Sequence, residues 1–137
     1  MTENKISRVA DAMTRDVITI EPTKTVTDVL ALMREHHTSS DLVERRDADD
    51  EYGLLVVTDI AREVLGKNRS PDRVNVYEVM SKPILTLSAE MNVVYAVRML
   101  TRFQLTRALV VDHDCNPLGM VTLRDMVLRT LAGAETD

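Results

Sequence analysis

Two stretches of this 137-residue chain spell the same pattern in the same order, one period apart. Met13-Thr14 matches Met80-Ser81, Thr19 matches Thr86, Val26 matches Val93 and Leu42 matches Leu109, each at a spacing of 67 residues. Gly53 and Asp59 match Gly119 and Asp125 at 66. The residue gained in the first copy falls in VERRDADDEYG against VVDHDCNPLG, and a length change of that kind belongs at a surface turn. An internal repeat constrains the fold most, because missing it misassigns every element that follows. The copies run from Ser7 to Gly66 and from Val74 to Gly133, joined by the polar, proline-containing linker 67–73. A copy of about 60 residues buries too little surface alone to be secure. The copies are therefore expected to pack sheet to sheet about a pseudo-twofold axis.

Each copy reads as β-α-β-β-α behind a short opening helical turn (RVADAM, NVYEVM). The first strands are expected at Val17–Ile20 and Ile84–Leu87, bounded by polar residues or proline. Val26, Val29, Leu30 and Met33 fall on one helical stripe, repeated by Val93, Ala96, Val97 and Leu100. Two strands then flank the turn, near Asp41–Arg45 with Tyr52–Val57, and near Ala108–Asp112 with Leu118–Thr122. The closing helices carry Ile60 and Val64, and Met126, Val127 and Leu131. A strand–helix–strand passage favours parallel pairing and a tight turn favours a hairpin. The class is therefore α/β of the α+β kind, in tandem.

The doubled β-α-β-β-α order, with M-[TS]-x-x-[VI]-[IL]-T at the start of each copy and G-x-[LV]-x-x-x-D at the end, resembles the cystathionine beta-synthase (CBS) domain. Two in tandem resemble a CBS pair, or Bateman module, here a stand-alone one covering nearly the whole chain. The resemblance implies a regulatory module that takes an adenine nucleotide (AMP, ADP or ATP) or an adenosyl compound in two related clefts between the repeats. It also implies a pair that dimerises into a disc and reports to an unidentified protein partner. In the family, a Gly-x-x-Thr/Ser-x-x-Asp run lines one cleft, its aspartate holding both ribose hydroxyls. The second copy fits in full with Gly119, Thr122 and Asp125. The first retains Asp59 but has Val56 in place of the hydroxyl, with Thr58 as a substitute. Carried over residue by residue, the Asp125 cleft takes Thr14, Thr19, Ser39, Ser40, Arg107, Thr122 and Arg124. The Asp59 cleft takes Ser81, Thr86, Thr106, Arg107, Ser40 and Thr58. Ser40 stands at the position of Arg107, which leaves the phosphate anchor of the Asp59 cleft poorer.

The chemistry is sound without the family. A carboxylate has two acceptor oxygens and suits the two donors of a vicinal diol. Each hydrogen bond to a charged group contributes about 1.5–3 kcal/mol. Arginines add bidentate contacts to phosphate, a helix N-terminus adds free N–H groups, and adenine needs an apolar slot, which Val17-Ile18 or Ile84-Leu85 can supply. A competing reading is architectural. Thr122 to Asp125 is also close to a capping box, hydroxyl at the N-cap and carboxylate three residues on, and Thr58 can cap the first copy one register later. The alternative at the level of the whole protein is a degenerate pair that only dimerises or docks.

Other classes fare worse. With a net charge of −5, broad nucleic-acid binding through phosphate neutralisation is not expected. No apolar run approaches the roughly 20 residues of a membrane span, and MTENKISRVADAM lacks the order of a signal peptide. The single Cys115 can form neither an internal disulfide nor a thiolate metal site, as in a reducing, cytoplasmic setting. His36-His37 and His113 do not make a zinc set, and ERRDADDEY lacks the central glycine of a calcium loop and reads as a solvated turn. No nucleophile, acid–base pair or glycine-rich phosphate loop emerges, so no enzyme, no catalytic residue and no metal or obligatory cofactor is expected. Aromatics make up only 3%, leaving aliphatic residues and methionine to fill the core. A homodimer is expected through the closing helix, where Leu123, Met126, Val127, Leu128 and Leu131 exceed what one face needs.

Overall fold

Both expected helices form, the first with part of its stripe turned outward, in a computed structural model that describes residues 7–132; the end of the second copy at Gly133 lies outside the described residues. Helix α2 (Val26–His36) buries Val26, Val29 and Met33. Leu30, assigned to that stripe by its spacing, is exposed instead. Thr25 caps α2 reciprocally: the Asp28 N–H donates to Thr25 Oγ1 at 3.3 Å, and the Thr25 N–H donates to Asp28 Oδ2 at 3.1 Å. His37 ends the helix in the left-handed region at φ 55°, placing His36 in the last turn where a cation is favoured. Helix α5 (Val93–Arg102) buries Val93, Ala96 and Leu100 and starts from Asn92, whose side chain accepts the Val94 N–H at 2.8 Å.

Each copy forms a three-stranded sheet. In the first, β1 (Thr19–Ile20) runs parallel to β2 (Ser40–Val43), which pairs antiparallel with β3 (Gly53–Val56). In the second, β4 (Thr86–Ser88), β5 (Arg107–Val111) and β6 (Pro117–Thr122) repeat that order. Helices α3 (Val57–Ile60) and α6 (Leu123–Val127) follow the last strands, and each runs on as a π-helical turn, Ala61–Leu65 and Leu128–Ala132. The parallel crossover and the antiparallel hairpin are thus both as expected. The first strands are shorter than their apolar runs: β1 leaves out Val17 and Ile18, and β4 leaves out Ile84 and Leu85.

The expected start of each first strand coincides with a passage of the chain between two units. The chain forms two compact units, Val17–Ile84 and, among the described residues, 7–16 with 85–132. The chain passes from one unit to the other just where each first strand was expected to begin. The opening helices α1 (Val9–Ala12) and α4 (Val76–Val79) therefore belong with the other copy's sheet. In the first case the Val9 N–H donates to Met91 O at 2.8 Å and the Ala10 N–H to Ala89 O at 3.0 Å. In the second the Val26 N–H donates to Val74 O and the Val76 N–H to Lys24 O, both at 2.8 Å. Two separate cores result. Val9, Ala12 and Met13 join Leu87, Val93, Leu100 and Met126 in one; Val74, Val76 and Val79 join Ile20, Val29, Val43 and Leu55 in the other.

The repeated glycines are explained by the same exchange. Thr14 pairs with Met120, the Thr14 N–H donating at 2.8 Å and the Met120 N–H returning at 2.9 Å. A Cβ on Gly119 would lie 2.5 Å from Thr14 O, inside any tolerated contact. Ser81 pairs with Leu54 in the same way, both bonds at 2.8 Å, and a Cβ on Gly53 would meet Met80 Sδ at 3.0 Å and Ser81 O at 3.2 Å. Each glycine is there so that the Met-Thr or Met-Ser backbone can approach a strand edge.

Candidate nucleotide site

The unit containing Asp125 brings together Thr14, Thr86, Thr106, Arg107, Thr122 and Arg124 of the candidate residues. Arg107 opens β5 directly opposite Thr122, the last residue of β6. The Leu123 N–H donates to Thr106 O at 2.8 Å, fixing the entrance of α6 beside the start of β5. Thr122 is the N-cap of α6, and its Oγ1 accepts the Asp125 N–H at 3.0 Å. Half of the expected capping box is therefore present. The other half is not: among the described residues no hydrogen bond or ion pair engages the Asp125 carboxylate, which stays half-buried on the first turn.

The Val17–Ile84 unit holds Thr19, Ser39, Ser40, Thr58, Asp59 and Ser81. Ser40 opens β2 opposite Val56, as Arg107 faces Thr122, and the Val57 N–H donates to Ser39 O at 2.9 Å. The likeness ends at the carboxylate. Asp59 is held by the Arg62 guanidinium one turn on, and the carboxylate pushes that guanidinium's pKa up. Val56 is the N-cap of α3, with no side-chain cap, and Thr58 lies inside the helix rather than capping it one register later. The place of Arg62 in the second copy is taken by Leu128, which carries no charge to offer Asp125. This Arg–Leu difference was the signal in the sequence that separates the two aspartates, and spacing alone passed over it.

Two further features of this unit lay outside the sequence expectations. A groove of about 370 Å³ is lined by Thr19, Ile20, Glu21, Lys24, Asp28, Leu32 and Glu44. Its three carboxylates against one ammonium disfavour a phosphate there. The acidic turn is only partly the solvated turn expected. Asp50, with a side chain 9% exposed, takes Lys82 Nζ at 2.7 Å and the Arg46 N–H at 2.8 Å. The Lys82 hydrogen bond first, then the Arg46 N–H, hold its carboxyl well below the usual carboxylate range. Among the described residues, no group of three or more His, Cys, Asp or Glu side chains is placed to hold a metal ion, and no helix is long and apolar enough to cross a membrane.

The comparisons with known proteins agree with this architecture. An uncharacterized protein of Methanopyrus kandleri is 31% identical over 87% of this chain, which spans 60% of that relative's length. Among solved structures, a hexameric CBS-CP12 protein from bloom-forming cyanobacteria superposes with a TM-score of 0.87 at 30% identity, covering 93% of this chain and 70% of that one. The CBS domain of a bacterial CNNM/CorC family Mg2+ transporter, solved in complex with ATP, gives a TM-score of 0.76 at 26% identity, covering 90% of this chain and 87% of that one. The CBS domain family matches residues 9–66 and 76–130. With two sheets of the same β-α-β-β order and two matches that take up most of its length, the chain belongs to the CBS domain family, as a tandem pair of repeats.

Proposed function

We propose that this CBS pair is a regulatory module that binds an adenine nucleotide through the Asp125 site and reports its occupancy to a partner protein. The observation that carries the reading is the Asp125 carboxylate: half-buried, on the first turn of α6, with no partner among the described residues and Arg107 and Thr122 at the adjoining strand ends. Its two acceptor oxygens suit the 2′- and 3′-hydroxyls of a ribose. Arg107 and Arg124 supply the cations for phosphate. The ATP complex of the transporter's CBS domain supports the ligand class. The ligand moves the module between states only by its difference in affinity for them, typically about 1–3 kcal/mol of coupling.

The test is thermal. AMP, ADP or ATP at millimolar concentration raises the melting temperature of the native protein. Asp125→Asn weakens binding more than tenfold, the consequence of losing hydrogen bonds of about 1.5–3 kcal/mol each to a charged acceptor. Asp59→Asn leaves the shift intact. No shift with any of the three nucleotides sinks the proposal.

The second reading, a scaffold that works by self-association or docking, rests on the Asp59 side, where Arg62 occupies the carboxylate and Val56 replaces the hydroxyl. The two readings coexist if only the Asp125 side binds. Self-association through the closing helix has apolar material in Val127, Leu128 and Leu131, which are 45%, 43% and 80% exposed. Met126 and Leu123 do not belong to that surface as expected from the sequence. Met126 is fully buried, and Leu123 packs against the same core.

A further inference from the structure

The most costly side chain in the Val17–Ile84 unit is Asp41. It lies on β2 opposite Leu55, is 1% exposed, and is the buried charged residue among those described. Alternation puts it on the same face as Val43, which belongs to the core with Val29, Met33, Leu55, Ile60 and Val64. Thr38 Oγ1 donates to its Oδ1 at 3.1 Å, while no donor among the described residues reaches Oδ2. An ionised carboxylate with one oxygen left in an apolar core is expensive, far more so than the neutral acid. The second copy shows what the fold needs there: the matching residue is Ala108, fully buried.

We propose that Asp41 is a proton-operated switch in the core of this unit: protonated, it stabilises the unit; ionised, it works against the packing around it. The carboxyl lies just behind the Ser39-Ser40 turn, whose Ser39 carbonyl is tied to the start of α3 through the Val57 N–H. Burial pushes the Asp41 carboxyl pKa up; the Thr38 hydrogen bond and then the His36 imidazole, at the end of α2, pull it back down by less. Val29 and Met33 from α2, Leu55 from β3 and Ile60 from α3 are apolar members of this core. The sign follows. A carboxyl whose pKa is higher in the folded than in the unfolded chain gives stability that is present below the ordinary value of 3.8 and is lost as pH rises through the raised value. At neutral pH Asp41 therefore works against the unit that contains it.

Melting temperatures of the native chain, Asp41→Asn and Asp41→Ala between pH 4 and pH 8 test this. Asp41→Asn is expected to melt about 3–6 °C above the native protein at pH 7.5. The gap shrinks toward zero as pH falls, and Asp41→Ala follows the same course. The gap persists when both chains also carry His36→Gln, which separates the carboxyl from the imidazole. Both variants melting at or below the native protein at pH 7.5, or a gap that ignores pH, overturns the switch. None of these readouts uses nucleotide, so they stand apart from the ligand proposal.

Discussion

Gly119 and Gly53 hold the same place in the two copies, yet a methyl group meets different obstacles there. At Gly119 the obstacle is a backbone carbonyl, Thr14 O, at 2.5 Å, which moves only if the strand pairing moves. At Gly53 the nearest atom is Met80 Sδ at 3.0 Å, the far part of a flexible side chain. Gly119→Ala should therefore cost about 1–3 kcal/mol in urea unfolding, in the range of overpacked cores, and Gly53→Ala distinctly less. Equal costs would mean that the close approach is not what requires glycine. The aspartates differ just as much for a local reason. Asp59 has an arginine one turn away and Asp125 a leucine-bearing turn in its place. One carboxylate is committed inside its own helix, and the other has no side-chain partner among the described residues.

The closing helices show how one residue changes an element. Thr122 gives α6 a side-chain cap, accepting the Asp125 N–H at 3.0 Å, whereas α3 begins at Val56 with none. A cap of this type contributes about 0.5–2 kcal/mol. Thr122→Ala should lose that amount, and Val56→Thr should gain part of it, both read as denaturation midpoints at constant m. A Val56→Thr chain no more stable than the native one would show that the α3 entrance cannot present the hydroxyl to its N–H groups. The hairpin turn of the first copy is held by Asp50 against Lys82 and Arg46. Its carboxyl lies below the ordinary range, so its stabilising effect is present above 3.8 and lost as pH falls through the lowered value. Asp50 and Asp41 therefore act on the same unit with opposite pH signs. The pH profile of the native chain mixes them, and only the difference from Asp41→Asn isolates the core carboxyl.

Across the whole chain, each closing helix leaves one leucine largely in water: Leu65 is 79% exposed and Leu131 80%. Isolated exposed leucines are ordinary, but Leu131 adjoins Val127 and Leu128 on the same closing turns, a grouping that suits association with another copy. Light scattering at micromolar concentration should report a dimer or larger assembly for the native protein. Leu131→Glu with Leu128→Glu should shift it toward monomer without lowering the melting temperature by more than the lost assembly accounts for. A native protein that is monomeric at every concentration would remove self-association from the function.

How much of this was legible beforehand follows from how locally each feature is encoded. The tandem order of strands and helices, the parallel and antiparallel pairings and the α2 and α5 stripes were readable because periodicity and turn length act over a few residues. Thr122, Asp125 and Asp59 were readable as helix-entrance residues for the same reason. Spacing could not tell which aspartate is already paired, because that depends on where the Arg62 side chain turns. Nor could it reveal that α1 and α4 close the other copy's core, that Gly119 makes room for the Thr14 carbonyl, or that Asp41 is sealed beside Leu55. Those are long-range contacts, set by how distant segments meet, and a charged residue in an apolar strand looks the same in a string whether it faces water or the core.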